Sequence, residues 1–133
     1  FAFKGHIPER DGILSGLFLI EALARTKLPL SDLLDKLYKL VGPHDYDRLD
    51  LTFPETERLH IEQKLKTTQV TSFLNIPVSH FSDIDGYLYT LIDDSWVLVR
   101  FSGTEPLLRI YAESSSIQNV NRLIGEARNL TGI

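Results

Sequence analysis

The chain has 133 residues, of which 43% are hydrophobic and 24% are charged, and its formal net charge is -4. This composition is typical of a globular protein long enough to bury a core, and the acidic balance disfavours nucleic acid and anionic lipid as partners. The absence of cysteine excludes disulfides and fits a reducing compartment. Because no signal peptide precedes the first apolar run, the default expectation is a cytoplasmic protein.

Two helices are predicted in the first 42 residues. The segment DGILSGLFLIEALARTK indicates a helix capped by Asp11, and it is apolar around most of its circumference, which is typical of a helix buried in a larger domain. Its apolar run contains Glu21 and is shorter than the roughly 20 residues that cross a bilayer, so no membrane partner is predicted. After Pro29, Ser31 is predicted to cap a second, amphipathic helix that ends at Gly42.

The pattern changes after residue 43 to that of a small α+β domain. DRLDLTF alternates like a strand, and a helix is predicted to follow Pro54. Further strands are predicted over residues 78–84, 87–92, 96–101 and 107–113, with turns at residues 85–86 and 93–95, and a closing helix over residues 116–132. The sequence therefore predicts an antiparallel sheet covered by two helices in residues 43–133, preceded by a helical remnant of another domain in residues 1–42.

The stretch RFSGTEPLLRIY places an arginine just outside each end of a short polar loop. If the flanking strands pair with Phe101 opposite Leu108, then Arg100 lies opposite Arg109 on the same face of the sheet. At ~5 Å and an effective dielectric constant of about 20, two such charges repel by on the order of 3 kcal/mol. The spacing therefore predicts an anion that relieves the repulsion.

Two anions fit this prediction. Glu105, inside the loop, would give an internal ion pair without a function. A phosphate group is the alternative, because the loop also offers the hydroxyls of Ser102 and Thr104 and a glycine, Gly103, beside which a ligand can approach the backbone closely. The spacing alone leaves both alternatives open, and the loop lacks the Gly-Lys pair of a Walker P-loop.

The motif RFSGTEPLLRIYAE, preceded by WVLV, resembles the phosphate-binding loop of the phosphoglucomutase and phosphomannomutase superfamily, the α-D-phosphohexomutases. A second stretch, GHIPERDGILSGLFLIEALA, is similar to a segment of the third domain of these enzymes. The two stretches bracket the chain, which begins at Phe1 and contains no methionine. We therefore expect a piece of a longer enzyme, with the tail of the third domain in residues 1–42 and the whole fourth domain in residues 43–133.

The resemblance implies a fourth domain of the TATA-box-binding-protein-like α+β type, with its helices on one face of the sheet. It also implies the function of the whole enzyme, which interconverts sugar 1-phosphates and 6-phosphates through a bisphosphorylated intermediate. The fourth domain would hold the phosphate that is not reacting. Carried over by position, the phosphate-binding residues are Arg100, Ser102, Gly103, Thr104 and Arg109.

The resemblance also implies what this chain lacks. The family's phosphoserine, its magnesium loop and its sugar-binding loop would all precede residue 1, so no metal site is predicted here and the chain alone is not expected to be active. The implied cofactors of the whole enzyme are Mg²⁺ and a sugar 1,6-bisphosphate, and the implied partners are a phosphorylated hexose and the remaining domains. Which sugar reacts is not predicted.

Arg10 matches a basic residue that lies near the reaction centre in the family's third domain. His6 lies in the same segment and is a second candidate for the active-site face. Their alternative roles are those of an exposed arginine beside a helix cap and a structural histidine. The chain departs from the family pattern at Phe101, where proline is frequent, and at Leu107, where lysine is common. An interaction module of the same fold without a catalytic role is the alternative function.

Overall fold

The structure is a computed structural model that describes residues 2–133, and it separates into two compact units that divide between Gly42 and Pro43. The first unit carries α1 (Gly12–Thr26) and α2 (Leu30–Val41). None of the helices in the described part of the chain is long and apolar enough to cross a membrane.

The helix caps of the first unit follow the prediction in one case and depart from it in the other. Asp11 caps α1, and its Oδ1 atom accepts a hydrogen bond of 2.8 Å from the Leu14 amide, as predicted. The predicted cap at Ser31 is wrong, because Pro29 is the N-cap residue of α2 and Ser31 lies within the first turn. Proline's fixed φ allows the helix to begin directly after it.

Both helices of the first unit lack buried residues. In α1 the side chain of Ile13 is 81% exposed and that of Ile20 is 62% exposed. Such apolar surface is energetically unfavourable in water. The origin of α1 in the interior of a larger domain stays a prediction.

The second unit consists of six strands and two α-helices, with a short 3-10 turn (Glu55–Glu57) before the first helix. Their bounds are β1 (Asp45–Thr52), α3 (Arg58–Thr67), β2 (Ser72–Phe73), β3 (Ile76–Ser82), β4 (Tyr87–Leu91), β5 (Trp96–Phe101), β6 (Leu107–Ser114) and α4 (Ile117–Thr131). The predicted α+β class is therefore confirmed. The two-residue strand β2 was not predicted, because it is too short to show an alternating pattern.

The strands form one antiparallel sheet in the order β1-β6-β5-β4-β3-β2. The strand β6 lies between β1 and β5, so the hairpin that carries the polar loop is inside the sheet and not at its edge. Both neighbours therefore restrain the backbone of β6.

The core of this unit lies between one face of the sheet and the two helices. Val97 and Val99 from β5 and Leu108 and Ile110 from β6 are fully buried, because alternate residues of a strand point to the same face. The helices contribute the buried side chains Ile61, Leu65, Val120, Leu123, Ile124 and Ala127. The helices thus cover one sheet face, as predicted, and the arginines at 100 and 109 belong to the opposite face.

Candidate functional site

The loop between β5 and β6 has the register that the sequence predicts. Phe101 pairs with Leu108, and Arg100 pairs with Arg109. The base of the loop is closed by a hydrogen bond of 2.8 Å from the Ser102 amide to the Leu107 carbonyl. The two arginines therefore extend from neighbouring strands on the sheet face that the helices leave uncovered.

Within the loop, the three small or hydroxylic residues differ in exposure. The side chain of Ser102 is buried, and its Oγ accepts a long hydrogen bond of 3.5 Å from the Thr104 amide. Gly103 and Thr104 are exposed, and a Cβ added at Gly103 would meet no protein atom within 4 Å. A ligand can therefore approach the backbone at Gly103 without displacing part of the protein.

Arg109 has a buried polar atom without a partner. Its Nε is buried and makes no hydrogen bond to any described residue. Its cross-strand neighbours are Asp50 on β1 and Arg100 on β5, but Asp50 forms its ion pair with Arg48 at 2.9 Å. A buried, unsatisfied donor is unfavourable by about 1–3 kcal/mol, so a movement of the Arg109 side chain that gave it an acceptor from outside the chain would be favourable.

Arg100 is paired with Asp85 and not with Glu105, the partner inside the loop that the sequence offered. Its Nη1 lies 3.2 Å from Oδ2 of Asp85, in the turn between β3 and β4. Glu105 is exposed and forms no ion pair with either arginine among residues 2–133, so the internal-bridge alternative does not describe this loop. Because the Arg100 side chain is 49% exposed, water also screens the repulsion between the arginines and reduces it below the value expected from the sequence.

Arg58, at the start of α3, is a third arginine beside the loop. Its Nη1 and Nη2 atoms each lie 3.4 Å from the Ser102 carbonyl oxygen, to which they donate, and its guanidinium lies 5.0 Å from the centre of the Phe101 ring. The Phe101 ring in turn packs edge-on against Phe53 at 5.7 Å. Arg58 therefore connects α3 to the base of the loop through Ser102 and Phe101.

A cleft of about 490 Å³ adjoins the loop. It lies between α3, the turn after β3 and the end of β5. Its lining includes three cations, Arg58, Lys66 and Arg100, and three carboxylates, Glu62, Asp83 and Asp85. Each of these three cations has a carboxylate partner within 4.0 Å. Each cation of the cleft thus has an ion-pair partner, whereas Arg109 has none among the described residues.

The two residues predicted in the first unit lie close together in sequence but differ in their contacts. The Nε2 atom of His6 lies 2.9 Å from Oδ2 of Asp11, the cap of α1. The Leu14 amide hydrogen bond and the His6 contact together lower the pKa of Asp11. Arg10 is exposed and lines a shallow depression with Pro8 and Glu9. A role for either residue on a substrate-binding face stays a prediction.

No group of three or more His, Asp or Glu residues is arranged to hold a metal ion within residues 2–133. The histidine in HDYDRLD, His44, instead contacts Glu113 at 2.8 Å.

Two family models match the chain. Residues 59–130 match the model described as phosphoglucomutase/phosphomannomutase, C-terminal domain, and residues 1–41 match alpha/beta/alpha domain III of the same family. The chain belongs to the phosphoglucomutase/phosphomannomutase family. The resemblance noted in the sequence is therefore confirmed, and the loop between β5 and β6 lies inside the matched C-terminal domain.

Curated members of the phosphoglucomutase/phosphomannomutase family are similar over most of the chain. A phosphoglucosamine/phosphogalactosamine mutase of Sulfurisphaera tokodaii is 32% identical over 98% of the chain, which corresponds to 27% of that protein. A phosphoglucomutase/phosphomannomutase of Thermococcus kodakarensis is 30% identical over 86% of the chain and 23% of its own length. The chain thus spans about a quarter of the length of these relatives.

A solved structure of the same family has a similar fold. The crystal structure of a phosphoglucomutase/phosphomannomutase family protein from Burkholderia thailandensis superimposes with a TM-score of 0.63 and 25% sequence identity. The match covers 90% of this chain and 23% of that protein. The relatives carry several different sugar names, so family membership does not select one sugar.

Proposed function

We propose that this chain is the C-terminal, substrate-phosphate-binding portion of a phosphohexomutase that interconverts sugar 1-phosphates and 6-phosphates through a bisphosphorylated intermediate. The proposed ligands of the phosphate are the guanidinium groups of Arg100 and Arg109, the hydroxyls of Ser102 and Thr104, and the backbone at Gly103. The proposal assigns to this loop the phosphate that is not being transferred.

The observation that carries the proposal is the state of Arg109. Its Nε is buried without a hydrogen-bond partner among the described residues, and its neighbour on β5 is a second arginine. A phosphate group has acceptor oxygens that suit the planar guanidinium, and its negative charge would relieve the repulsion between the two arginines. Each charge-assisted hydrogen bond of this kind contributes roughly 1.5–3 kcal/mol.

The rest of the reaction is assigned to other parts of the enzyme. Mg²⁺, the phosphoserine and the sugar-binding loop would come from the remaining domains, which are the proposed partners together with a phosphorylated hexose. A sugar 1,6-bisphosphate is the proposed intermediate and activator. Arg10 and His6 would face the same substrate from residues 1–42, and a cytoplasmic location is part of the proposal because the substrates are metabolic sugar phosphates.

Titration of this chain with glucose 1-phosphate, followed by amide chemical shifts, tests the proposal. We expect saturable shifts at residues 102–104 with a dissociation constant around 1 mM or weaker, which corresponds to about -4 kcal/mol. Arg109→Ala should abolish the shifts, whereas the control Arg122→Ala, an exposed arginine on α4, should preserve them. Shifts absent from the loop of the unmodified chain would instead favour an interaction module that keeps the fold.

The same substitutions in the full-length enzyme provide a kinetic test. Loss of a contact made equally in the ground state and the transition state raises KM and leaves kcat unchanged. Because the proposed contact is to the phosphate that does not react, Arg109→Ala should mainly raise KM for the sugar phosphate. An unchanged KM would contradict the assignment.

A further inference from the structure

Arg100 has a carboxylate partner, whereas Arg109 has none among the described residues. Asp85 lies 3.2 Å from Arg100, and the two side chains are 74% and 49% exposed. Ion pairs between such exposed groups contribute only about 0–1 kcal/mol, because water and salt screen them. The pair is therefore weak enough for a phosphate group to replace the carboxylate.

The position of Asp85 is fixed by the residue that follows it. Gly86 has φ +114°, and a Cβ added there would lie 2.8 Å from the Val99 carbonyl oxygen and 3.1 Å from Cβ of Arg100. The turn after β3 thus packs directly against the backbone of β5, and only glycine fits this close approach. Asp85 is consequently held beside Arg100 by the backbone and not only by the attraction between the two charges.

A carboxylate held in this place affects an incoming anion in two ways. It occupies a donor of Arg100 that the phosphate needs, and its negative charge repels the phosphate at short range. Asp83, two residues earlier in the same turn, also lines the cleft, but it forms no ion pair with Arg100 or any other described cation within 4.0 Å. The chain therefore offers two carboxylates of equal charge, of which only one contacts the arginine.

We propose that Asp85 competes with the substrate phosphate for Arg100, so that it lowers the phosphate affinity of the loop and speeds phosphate release. This inference rests on the proposed function, since it requires that the loop bind phosphate. Its distinctive consequence is that removal of the Asp85 carboxylate strengthens the binding of phosphate to the loop. A carboxylate that merely positioned Arg100 would have the opposite effect.

The test is a titration of the chain with inorganic phosphate, followed by the amide shifts of Gly103 and Thr104, for the unmodified chain, Asp85→Asn and Asp83→Asn. We expect Asp85→Asn to bind phosphate about threefold to fivefold more tightly, which is the upper range for one exposed ion pair. Asp83→Asn, which changes the net charge equally, should differ by less than about 1.5-fold. The difference between the variants should shrink as ionic strength rises.

The possible outcomes separate this inference from the proposed function. Equal tightening in both variants would indicate a general charge effect, and weaker binding by Asp85→Asn would indicate positioning. Either result would refute the proposal that Asp85 competes with phosphate for Arg100. The proposal that the loop binds phosphate would not be affected. If phosphate shifts the loop amides of neither the unmodified chain nor Asp85→Asn, both the inference and the proposed function are refuted.

Discussion

Arg58 should stabilise the second unit through its contacts with the base of the loop, and its replacement by alanine tests this. The guanidinium lies 5.0 Å from the Phe101 ring and is partly exposed, so the cation–π contact contributes about 0.5–1 kcal/mol. Its hydrogen bonds to the Ser102 carbonyl are long, at 3.4 Å, and contribute about 0.5 kcal/mol. The ion pair with Glu55, at 3.6 Å, adds at most a few tenths of a kcal/mol, roughly 0.3.

The sum of these contributions predicts that Arg58→Ala lowers the free energy of unfolding by about 1–2 kcal/mol. Urea unfolding followed by tryptophan fluorescence measures this change, because the only tryptophan, Trp96, lies on β5 in the same unit. Arg58→Lys keeps the charge but loses the planar fork, so it should lie between the unmodified chain and Arg58→Ala. The control Arg122→Ala should change the free energy by less than about 0.5 kcal/mol.

Two results would refute this reasoning about Arg58. A decrease below about 0.3 kcal/mol for Arg58→Ala would mean that the contacts contribute nothing net. A lysine variant as unstable as the alanine variant would mean that the positive charge over the Phe101 ring is unimportant and that only the fork geometry contributes.

Two further predictions concern the backbone and pH. Gly86→Ala should lower the free energy of unfolding by about 2–4 kcal/mol, because its Cβ would meet the Val99 carbonyl oxygen at 2.8 Å. Gly125→Ala in α4, with open space around it, should instead raise the free energy of unfolding by about 0.5–1 kcal/mol. Chemical denaturation measures both changes, and equal effects would contradict the argument. The Leu14 amide hydrogen bond lowers the pKa of Asp11 below 3.8, so its contribution to α1 is complete above that pH and is lost as the pH falls through the lowered pKa. The Leu14 amide shift should report this loss, and Asp11→Asn, which caps without titrating, should remove the pH dependence.

The loop hairpin could be predicted from the sequence because its signals are local. Alternation along WVLVRF and LLRIYAE fixes which residues face the helices, and the short loop between them fixes the register that opposes Arg100 and Arg109. The cap at Asp11 is equally local. The Ser31 prediction was wrong because Pro29 also permits helix initiation, so α2 begins at Leu30, two residues earlier than a cap at Ser31 allows.

The contacts that modify the site depend on the packing of separate elements. Arg58 donates to the Ser102 carbonyl across a sequence separation of 44 residues, and a local sequence pattern cannot predict such a contact. For Asp85 a signal did exist. The hairpin around the turn at residues 93–95 pairs Tyr87 with Val99, so Gly86 continues this register toward Arg100 and Asp85 follows it. Counting outward from that turn places Asp85 one residue beyond the position opposite Arg100, so it would have suggested that the two are near each other but not that they form an ion pair.

The sheet order has a consequence for the sequence of folding events. The strand β1 pairs only with β6, and the contact between His44 and Glu113 beside this pairing spans 69 residues. The hairpin of β5 and β6 needs only a short loop closure, so the arginine loop can form early in refolding, whereas β1 pairs with β6 only after a much longer loop has closed. Until then β6 has one open edge beside Arg109, and this edge is where off-pathway strand pairing should begin.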